Sequence, residues 1–325
     1  MSHAAAARPV VVNQLGPVIA SALAAHPARP LVRDRPIGEA PWEIEDADVL
    51  LTGPDRAWQR APSQPPPDWP GRLRWVQVAS TGVDWFPRWL IEAPMVTCGR
   101  GHNAEAIAEY VLAAILLHEK RLDAVRVRAA EDWTRHSLGT LRGKVLGLAG
   151  YGAIGRAIAA RARAFGMTVL ALRRSAWSSA ETEIIGVDSL GVLASASDHL
   201  ALAMPLTEAT HYCINATLLS VAKPGLHLIN VARGGLVDQT ALLDALDSDR
   251  IAFATLDVTD PEPLPAFHPL YTHARVRLTP HISWSGEAPG VASGRAALTS
   301  QIVANLDAYV RGDALLHVVD PHRGY

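Results

Sequence analysis

Apolar and polar positions along this chain follow two alternating patterns. Short continuous apolar runs, of the length of strands buried on both faces, are separated by segments in which apolar residues return every three or four positions, as on a helix with one buried side. In the first hundred residues, strands are expected at 9–13, 48–52, 73–79 and 95–98, with a helix at 16–25 that turns Val18, Ala22 and Ala25 inward. A longer helix is expected at 104–122, where Ile107, Val111 and Ile115 recur at intervals of four beside Ala108 and Leu112. Its acids Glu105 and Glu109 lie toward the start and its bases Lys120 and Arg121 toward the end, which suits the helix dipole. From residue 144 the alternation is regular. Strands at 144–149, 167–172, 199–204, 226–232, 251–256 and 275–279 are separated by helices at 156–165, 188–196, 217–221 and one that Asp238 caps and that ends near Leu246. A last helix follows Pro289 and runs to Tyr309, with Ile302, Leu306 and Val310 on its apolar side, and is expected to return to the first segment.

Strand and helix in alternation predict an α/β protein, because parallel neighbours need a crossover long enough to hold a helix. The two stretches of alternation predict two doubly wound parallel-sheet domains with a cleft between them, joined by the helix at 104–122. Prolines crowd residues 61–70 and forbid a regular element there, so a surface excursion is expected. Six of the nine tryptophans fall in the first 89 residues without common spacing, which predicts packing of a small domain rather than a ligand cage. Trp85 is kept as a candidate ligand contact because it follows a glycine loop.

The organising motif is Gly150-Tyr-Gly152-Ala153-Ile154-Gly155, between the strand at 144–149 and a helix whose Ile154, Ile158, Ala162 and Phe165 share one face. Strand, glycine turn and helix in this order form a dinucleotide-binding site. Gly150 permits the tight turn, Gly152 lets the backbone approach a pyrophosphate, and Gly155 lets the helix pack close to the strand, with the phosphates at the positive helix end. Ligands of open parallel sheets sit beyond the carboxyl ends of the strands. There the chain places Arg233 after the strand at 226–232, Asp257 and Glu262 after 251–256, and His281 after 275–279. A cation, an acid and an imidazole suffice to reduce a 2-keto acid. Hydride delivered to the carbonyl carbon leaves an alkoxide that a histidine can protonate, a guanidinium holds the carboxylate through two parallel bonds, and an acid on the far imidazole nitrogen favours the charged ring.

These residues carry a resemblance to the D-isomer-specific 2-hydroxyacid dehydrogenases over nearly the whole chain. It rests on the glycine turn, on Asn230-Val231-Ala232-Arg233-Gly-Gly, on Asp257-Val-Thr-Asp-Pro-Glu262-Pro and on Thr279-Pro-His281. The resemblance implies a Rossmann-type cofactor domain at 99–286 and a flavodoxin-like substrate domain made of 1–98 with 287–325. It also implies Arg233 as binder of the substrate carboxylate, Glu262 as partner of His281, His281 as acid/base, and the amides of Thr81, Gly82 and Val83 as further carboxylate donors. Met204, Pro205, Leu206 and Thr207 would line the adenosine side, Asp257 would bond the nicotinamide carboxamide, and Thr210, Val231 and Ala232 would also contact the cofactor. Homodimers are usual in the family, with the helix at 104–122 contributing to the interface. Glyoxylate/hydroxypyruvate reductases are the members most similar to this chain.

The chain departs from the family pattern in two places. NAD-using members carry an acid where the strand at 167–172 ends, to accept from the ribose hydroxyls; here Arg173, Arg174 and Ser175 stand in its place, which predicts NADP(H), with NAD possible. The second is Arg100, where a proline is commoner; with His102 it lies on a loop after the strand at 95–98. The expected activity is therefore that of an oxidoreductase reducing a small 2-keto acid with NADPH. Alternatives are a dinucleotide-sensing, corepressor-like binding protein and an NAD-dependent dehydrogenase for a bulkier keto acid. A phosphoglycerate-type enzyme would carry a regulatory domain, for which the sequence after Tyr309 is expected to be too short.

Composition adds exclusions. A net charge of -2 and the lack of clustered Lys and Arg argue against a nucleic-acid partner. Cys98 and Cys213 have neither metal-ligand spacing nor a disulfide framework, and are expected to be buried thiols in a reducing compartment. No apolar run reaches the roughly 18 residues of a membrane span, and residues 1–7 lack the apolar core of a signal peptide. A cytoplasmic location, small-molecule ligands and no metal are the expectations.

Overall fold

A computed structural model describes residues 8–177, 183–285 and 294–321. Residues 1–7, the expected start of the last helix after Pro289 and the domain boundary at 286–287 lie outside these. The chain forms two compact units, Met1–His102 with Glu287–Tyr325, and Asn103–Gly286. In the first unit the order is β1 (Val10–Asn13), α1 (Pro17–Ala24), β2 (Leu31–Asp34), β3 (Val49–Thr52), α2 (Arg56–Gln59), β4 (Trp75–Val78), α3 (Arg88–Ile91) and β5 (Val96–Cys98). The second unit runs α4 (Ala104–Lys120), β6 (Val145–Ala149), α5 (Ala153–Ala164), β7 (Thr168–Leu172), β8 (Ile185–Gly186), α6 (Leu190–Ala196), β9 (His199–Leu202), α7 (Ala216–Ser220), β10 (His227–Asn230), α8 (Gln239–Asp247), β11 (Phe253–Leu256) and β12 (Val276–Leu278). A final helix, α9 (Gly294–Arg311), belongs again to the first unit.

Both sheets are parallel throughout. The first has the order β2-β1-β3-β4-β5 and the second β12-β11-β10-β9-β6-β7-β8. Reversal of strand order on either side of β6 makes the second sheet a doubly wound, Rossmann-type sheet, with its switch point where the glycine turn leaves β6. Central strands are continuous apolar runs because helices cover both faces: β3, β4 and β9 are buried at every position. On one face of the second sheet α4 and α5 bury Ile107, Val111, Ile115, Ile158 and Ala162 against Leu146, Leu148 and Val169. In the first unit α9 buries Leu298, Ile302 and Leu306 with Val11, Ile19 and Leu23, so the tail does close the first core.

Helix starts follow the sequence chemistry. Ser189 accepts from the Val192 amide, Asn215 from Leu218, and Asp238 from Thr240 and Ala241. Around Trp58, ring centroids of Trp42, Phe86 and Trp89 lie at 5.9, 5.6 and 6.3 Å, and Trp85 packs at the edge of the same core. The tryptophans are thus core and loop packing. Trp89 Nε1 also donates to Pro62 O at 2.9 Å and fastens the proline-rich loop.

Several expected details are corrected. Helix α1 buries Ile19 and Leu23 and exposes Val18 and Ala25, because the covering elements select a face about one position round from the one read off the alanines. Phe165 and Val310 are exposed ends of their helices, Cys213 is half-buried while Cys98 is fully buried, and α5 begins at Ala153, inside the glycine motif, rather than at 156. Helix α4, within the stretch expected at 104–122, lies in the second unit and packs on α5. Strands β2 and β8 were not expected. Each is an edge strand with exposed residues, held by pairing to β1 and β7.

Candidate active site

The glycine turn has the geometry that a dinucleotide requires. Gly150 sits at φ 106°, and a side chain there would collide with the Ala203 carbonyl where β9 ends. A Cβ on Gly155 would collide with the Gly150 carbonyl, whereas one on Gly152 would meet nothing within 4 Å. Close packing thus demands the outer two glycines, and the middle one borders open space. No side chain caps α5, so the first amides of a 12-residue helix point at that space. These features fit a pyrophosphate, and Ala153 and Ile154 would supply amides to it.

Beyond β7, Arg173 donates from Nε to Ser175 O at 3.1 Å and from Nη2 to Ala176 O. Its guanidinium lies 4.2 Å from the ring centroid of Trp177 and 5.9 Å from that of Tyr151. Arg174 and Ser175 follow on the same exposed turn. Where β7 ends, the chain continues with Arg173, Arg174 and Ser175 in place of an acid. After β9, Thr210 Oγ1 donates to Pro205 O at 2.8 Å and accepts from the Thr207 amide at 2.8 Å, so its hydroxyl staples the loop containing Met204 and Pro205.

The three expected catalytic residues follow adjacent strands β10, β11 and β12. Buried Asn230 shapes the turn into Arg233: Nδ2 donates to Arg233 O at 2.8 Å and Oδ1 accepts from the Ala232 amide at 3.1 Å. Arg233 Nη1 donates to Ala232 O at 2.8 Å. Val231 is buried, and a side chain at Gly234 would collide with the Thr259 backbone, which brings the arginine turn against the 257–262 loop. Glu262 and His281 are paired, with Nδ1 and Oε2 2.9 Å apart and 29% and 27% of the side chains exposed. The other glutamate oxygen accepts from the Thr259 amide at 3.1 Å. A carboxylate held at Nδ1 leaves Nε2 as the imidazole nitrogen directed away from the pair.

Asp257 is 1% exposed and serves the histidine loop. Oδ1 accepts from Thr279 Oγ1 at 2.6 Å and the Ile282 amide at 2.9 Å, Oδ2 accepts from the Ser283 amide at 2.9 Å, and the Asp257 carbonyl accepts from His281 N at 2.8 Å. Tyr110 of α4 completes the chain by donating to Thr279 Oγ1 at 2.6 Å; burial raises its hydroxyl above the ordinary tyrosine pKa. Asn230 and Thr279 stand in the motifs quoted above without an assigned role, and nothing in the sequence singles out Tyr110. A polar residue closing an apolar strand was the available signal for Asn230.

In the first unit the loop after β4 is tied by Ser80 Oγ to Gly82 O at 2.6 Å and by Thr81 Oγ1 to Gly99 O at 2.7 Å. The amides of Thr81, Gly82 and Val83 donate to no acceptor among the described residues. His102 bonds Gly99 O through Nδ1 at 3.0 Å, and burial lowers its pKa below the ordinary value. Arg100 lies beside Cys98 and His317, where burial pushes the thiol pKa up and the arginine pulls it down. Among the described residues no group of acids, histidines and cysteines is arranged to hold a metal, and no helix is long and apolar enough to cross a membrane.

Comparison with known proteins agrees with this geometry. Residues 112–283 match the model of the D-isomer specific 2-hydroxyacid dehydrogenase, NAD binding domain. A glyoxylate/hydroxypyruvate reductase A from Serratia proteamaculans is 32% identical over 270 residues, 78% of this chain and 82% of the relative. A glyoxylate reductase from Pyrococcus furiosus is 42% identical over 175 residues, 53% of this chain and 50% of its own. Among solved structures, a D-isomer specific 2-hydroxyacid dehydrogenase from Xanthobacter autotrophicus Py2, in complex with NADPH and MES, superposes with a TM-score of 0.79 at 28% identity, covering 98% of this chain and 100% of that one. This chain is therefore an oxidoreductase that uses a nicotinamide dinucleotide, and it belongs to the D-isomer specific 2-hydroxyacid dehydrogenase family.

Proposed function

We propose that this protein is an NADPH-preferring reductase of small 2-keto acids, of the size of glyoxylate or hydroxypyruvate, which yields the D-2-hydroxy acid or its achiral equivalent and acts in the cytoplasm as a homodimer. The observation that carries the reaction is the 2.9 Å pair of His281 and Glu262 on the strand edge that also bears Arg233. A bound dinucleotide supplies hydride to the substrate's carbonyl carbon. Arg233 holds the substrate carboxylate and polarises the adjacent carbonyl oxygen. His281 gives its Nε2 proton to the oxygen as the carbonyl pair of electrons moves onto it, and Glu262, bonded to Nδ1, orients the ring for that transfer. For the first unit, we assign the amides of Thr81, Gly82 and Val83 as further donors to the carboxylate; their lack of acceptors among the described residues supports the assignment. Asp257 is assigned to the nicotinamide side together with Val231 and Ala232.

Preference for NADPH rests on charge. A 2′-phosphate adds roughly two negative charges at the ribose. Arg173, Arg174 and Ser175 offer cations and a hydroxyl there, where a carboxylate would repel it. The glyoxylate/hydroxypyruvate reductase among the relatives supports a small substrate.

The test follows NADPH and NADH oxidation separately with glyoxylate, hydroxypyruvate, pyruvate and phenylpyruvate. Higher kcat/KM with NADPH on glyoxylate and hydroxypyruvate is expected. Equal or better rates with NADH would sink the cofactor assignment, phenylpyruvate as best substrate would sink the size assignment, and NADPH binding without turnover on any keto acid would favour a dinucleotide sensor.

A further inference from the structure

We infer that Trp177 is a positioning residue for dinucleotide selection: its indole, seated against Gly186 and assisted by Tyr151, holds the Arg173 guanidinium at the carboxyl end of β7. The inference rests on the proposed NADPH preference and adds the device that enforces it. Arginine is a long side chain with much rotamer freedom, so an exposed arginine that meets a phosphate loses much of the gain in becoming fixed. Here the cost falls on folding instead of on binding. Arg173 is fixed on one side by the carbonyls of Ser175 and Ala176 and on its face by the Trp177 ring at 4.2 Å, with the Tyr151 ring at 5.9 Å. The two rings lean together, with centroids 5.3 Å apart at an interplanar angle of 39°.

The seat of the indole is built into the sheet. Edge strand β8 pairs in parallel with β7, so that Gly186 lies opposite Ala171. A Cβ on Gly186 would collide with Trp177 Nε1 and lie 2.6 Å from Cε2. Gly186 has no positive φ, and so the backbone there does not demand glycine; the indole does. Tyr151 and Trp177 also pack on the apolar core beneath α5, which connects the arginine platform to the helix that carries the glycine turn. One strand end, one short edge strand and the middle of the glycine motif thus converge on a single guanidinium. A planar cation preset in this way favours a doubly charged phosphate and does nothing for a ribose hydroxyl, which is the asymmetry that separates NADPH from NADH.

Calorimetric titration of the wild type, Trp177→Leu, Trp177→Phe and Gly186→Ala with NADPH, NADH, 2′,5′-ADP and 5′-AMP tests the inference. Wild type is expected to bind NADPH at least tenfold more tightly than NADH. Trp177→Leu is expected to weaken NADPH and 2′,5′-ADP five- to tenfold while NADH and 5′-AMP stay within twofold. Trp177→Phe keeps a ring under the guanidinium and should recover most of the loss. Gly186→Ala displaces the indole while leaving Trp177 and Arg173 themselves in the sequence and should behave like Trp177→Leu, which keeps the test decisive if the leucine variant fails to fold. Unchanged discrimination in both Trp177→Leu and Gly186→Ala, or equal weakening of all four ligands, overturns the positioning role. A wild type that binds NADPH and NADH alike overturns the NADPH reading itself, and is seen before any variant is compared.

Discussion

His281 occupies the left-handed region, at φ 55°, where residues other than glycine are uncommon. Such a conformation persists only where the surroundings over-determine it. The surroundings here are Asp257, whose carbonyl accepts from the His281 amide and whose carboxylate accepts from the next two amides and from Thr279. The imidazole is therefore presented to Glu262 by a segment clamped at four points. Replacing the ring while keeping the clamp separates chemistry from structure. His281→Gln is expected to lower kcat by about 10²–10⁴, the usual worth of a positioned acid, with the dinucleotide Kd within twofold of wild type. Stopped-flow hydride transfer and equilibrium titration read the two quantities, and wild-type turnover in the variant would mean that another group donates the proton. The histidine itself was legible in the sequence as the residue after a strand and a proline. The clamp was not, because nothing local ties Asp257 to Ile282 and Ser283.

Among the elements, α4 does more than cover the sheet. Its last turn carries His118 and Glu119 onto the amino ends of β9 and β10, where His199 and His227 are buried. His118 stacks on His227 at 4.5 Å, Nδ1 of His199 and Nδ1 of His227 are 3.2 Å apart, and His227 Nε2 meets Thr255 Oγ1 at 2.9 Å. Glu119 binds Lys144 Nζ at 2.7 Å; its Oε1 also lies 3.2 Å from His199 Nε2, too poorly aligned for a hydrogen bond. Two facing imidazole nitrogens share one proton, so charging both rings breaks that bond. Burial lowers the pKa of His118 and lowers that of His227 well below the ordinary value; it brings His199 down to about 4, against the opposing pull of Glu119, while Lys144 and Arg277 add to the lowering at neighbouring rings. A folded-state pKa below the unfolded value of about 6.5 means that the unfolded chain binds protons first. The stabilisation is complete above about pH 6.5 and is lost as the pH falls toward 4. Unfolding free energies from denaturant titrations between pH 7.5 and 4 are expected to fall steeply in that window, by on the order of 3 kcal/mol from His199 alone. A His199→Gln variant should flatten the slope, and an equally steep slope in the variant would place the acid sensitivity elsewhere. Pattern analysis predicted α4 to within two residues because its apolar stripe is local, while the histidines beneath it gave no signal until the strands were side by side.

For the whole molecule, each unit carries a share of the proposed chemistry: the second the glycine turn, the basic strand end and the Arg233, Glu262 and His281 trio, the first a loop of three amides without acceptors among the described residues. The segment after α4 exposes Leu122, Val127, Trp133 and Leu138, with Trp133 82% exposed. Single exposed apolar residues are ordinary, but four along one excursion suit a surface that a second copy covers. The homodimer proposal predicts a mass of two chains in light scattering at micromolar concentration, and a shift toward one chain for Trp133→Asp. A wild-type mass of one chain across the concentration range would reject it.

The amino-acid sequence by itself determined the α/β alternation, the glycine turn and the three strand-end residues, because each depends on local period, on the steric need for glycine or on position relative to a strand. Tertiary structure alone decided the rest. Edge strands β2 and β8 exist through pairing to neighbours distant in sequence, and α1 chose Ile19 and Leu23 over Val18 because of what lies across from it. Folding also set Asp257 to hold the histidine loop and placed Gly186 beneath Trp177. In each case the contact joins separate segments and forms only when the chain folds, so it leaves no periodicity in either one.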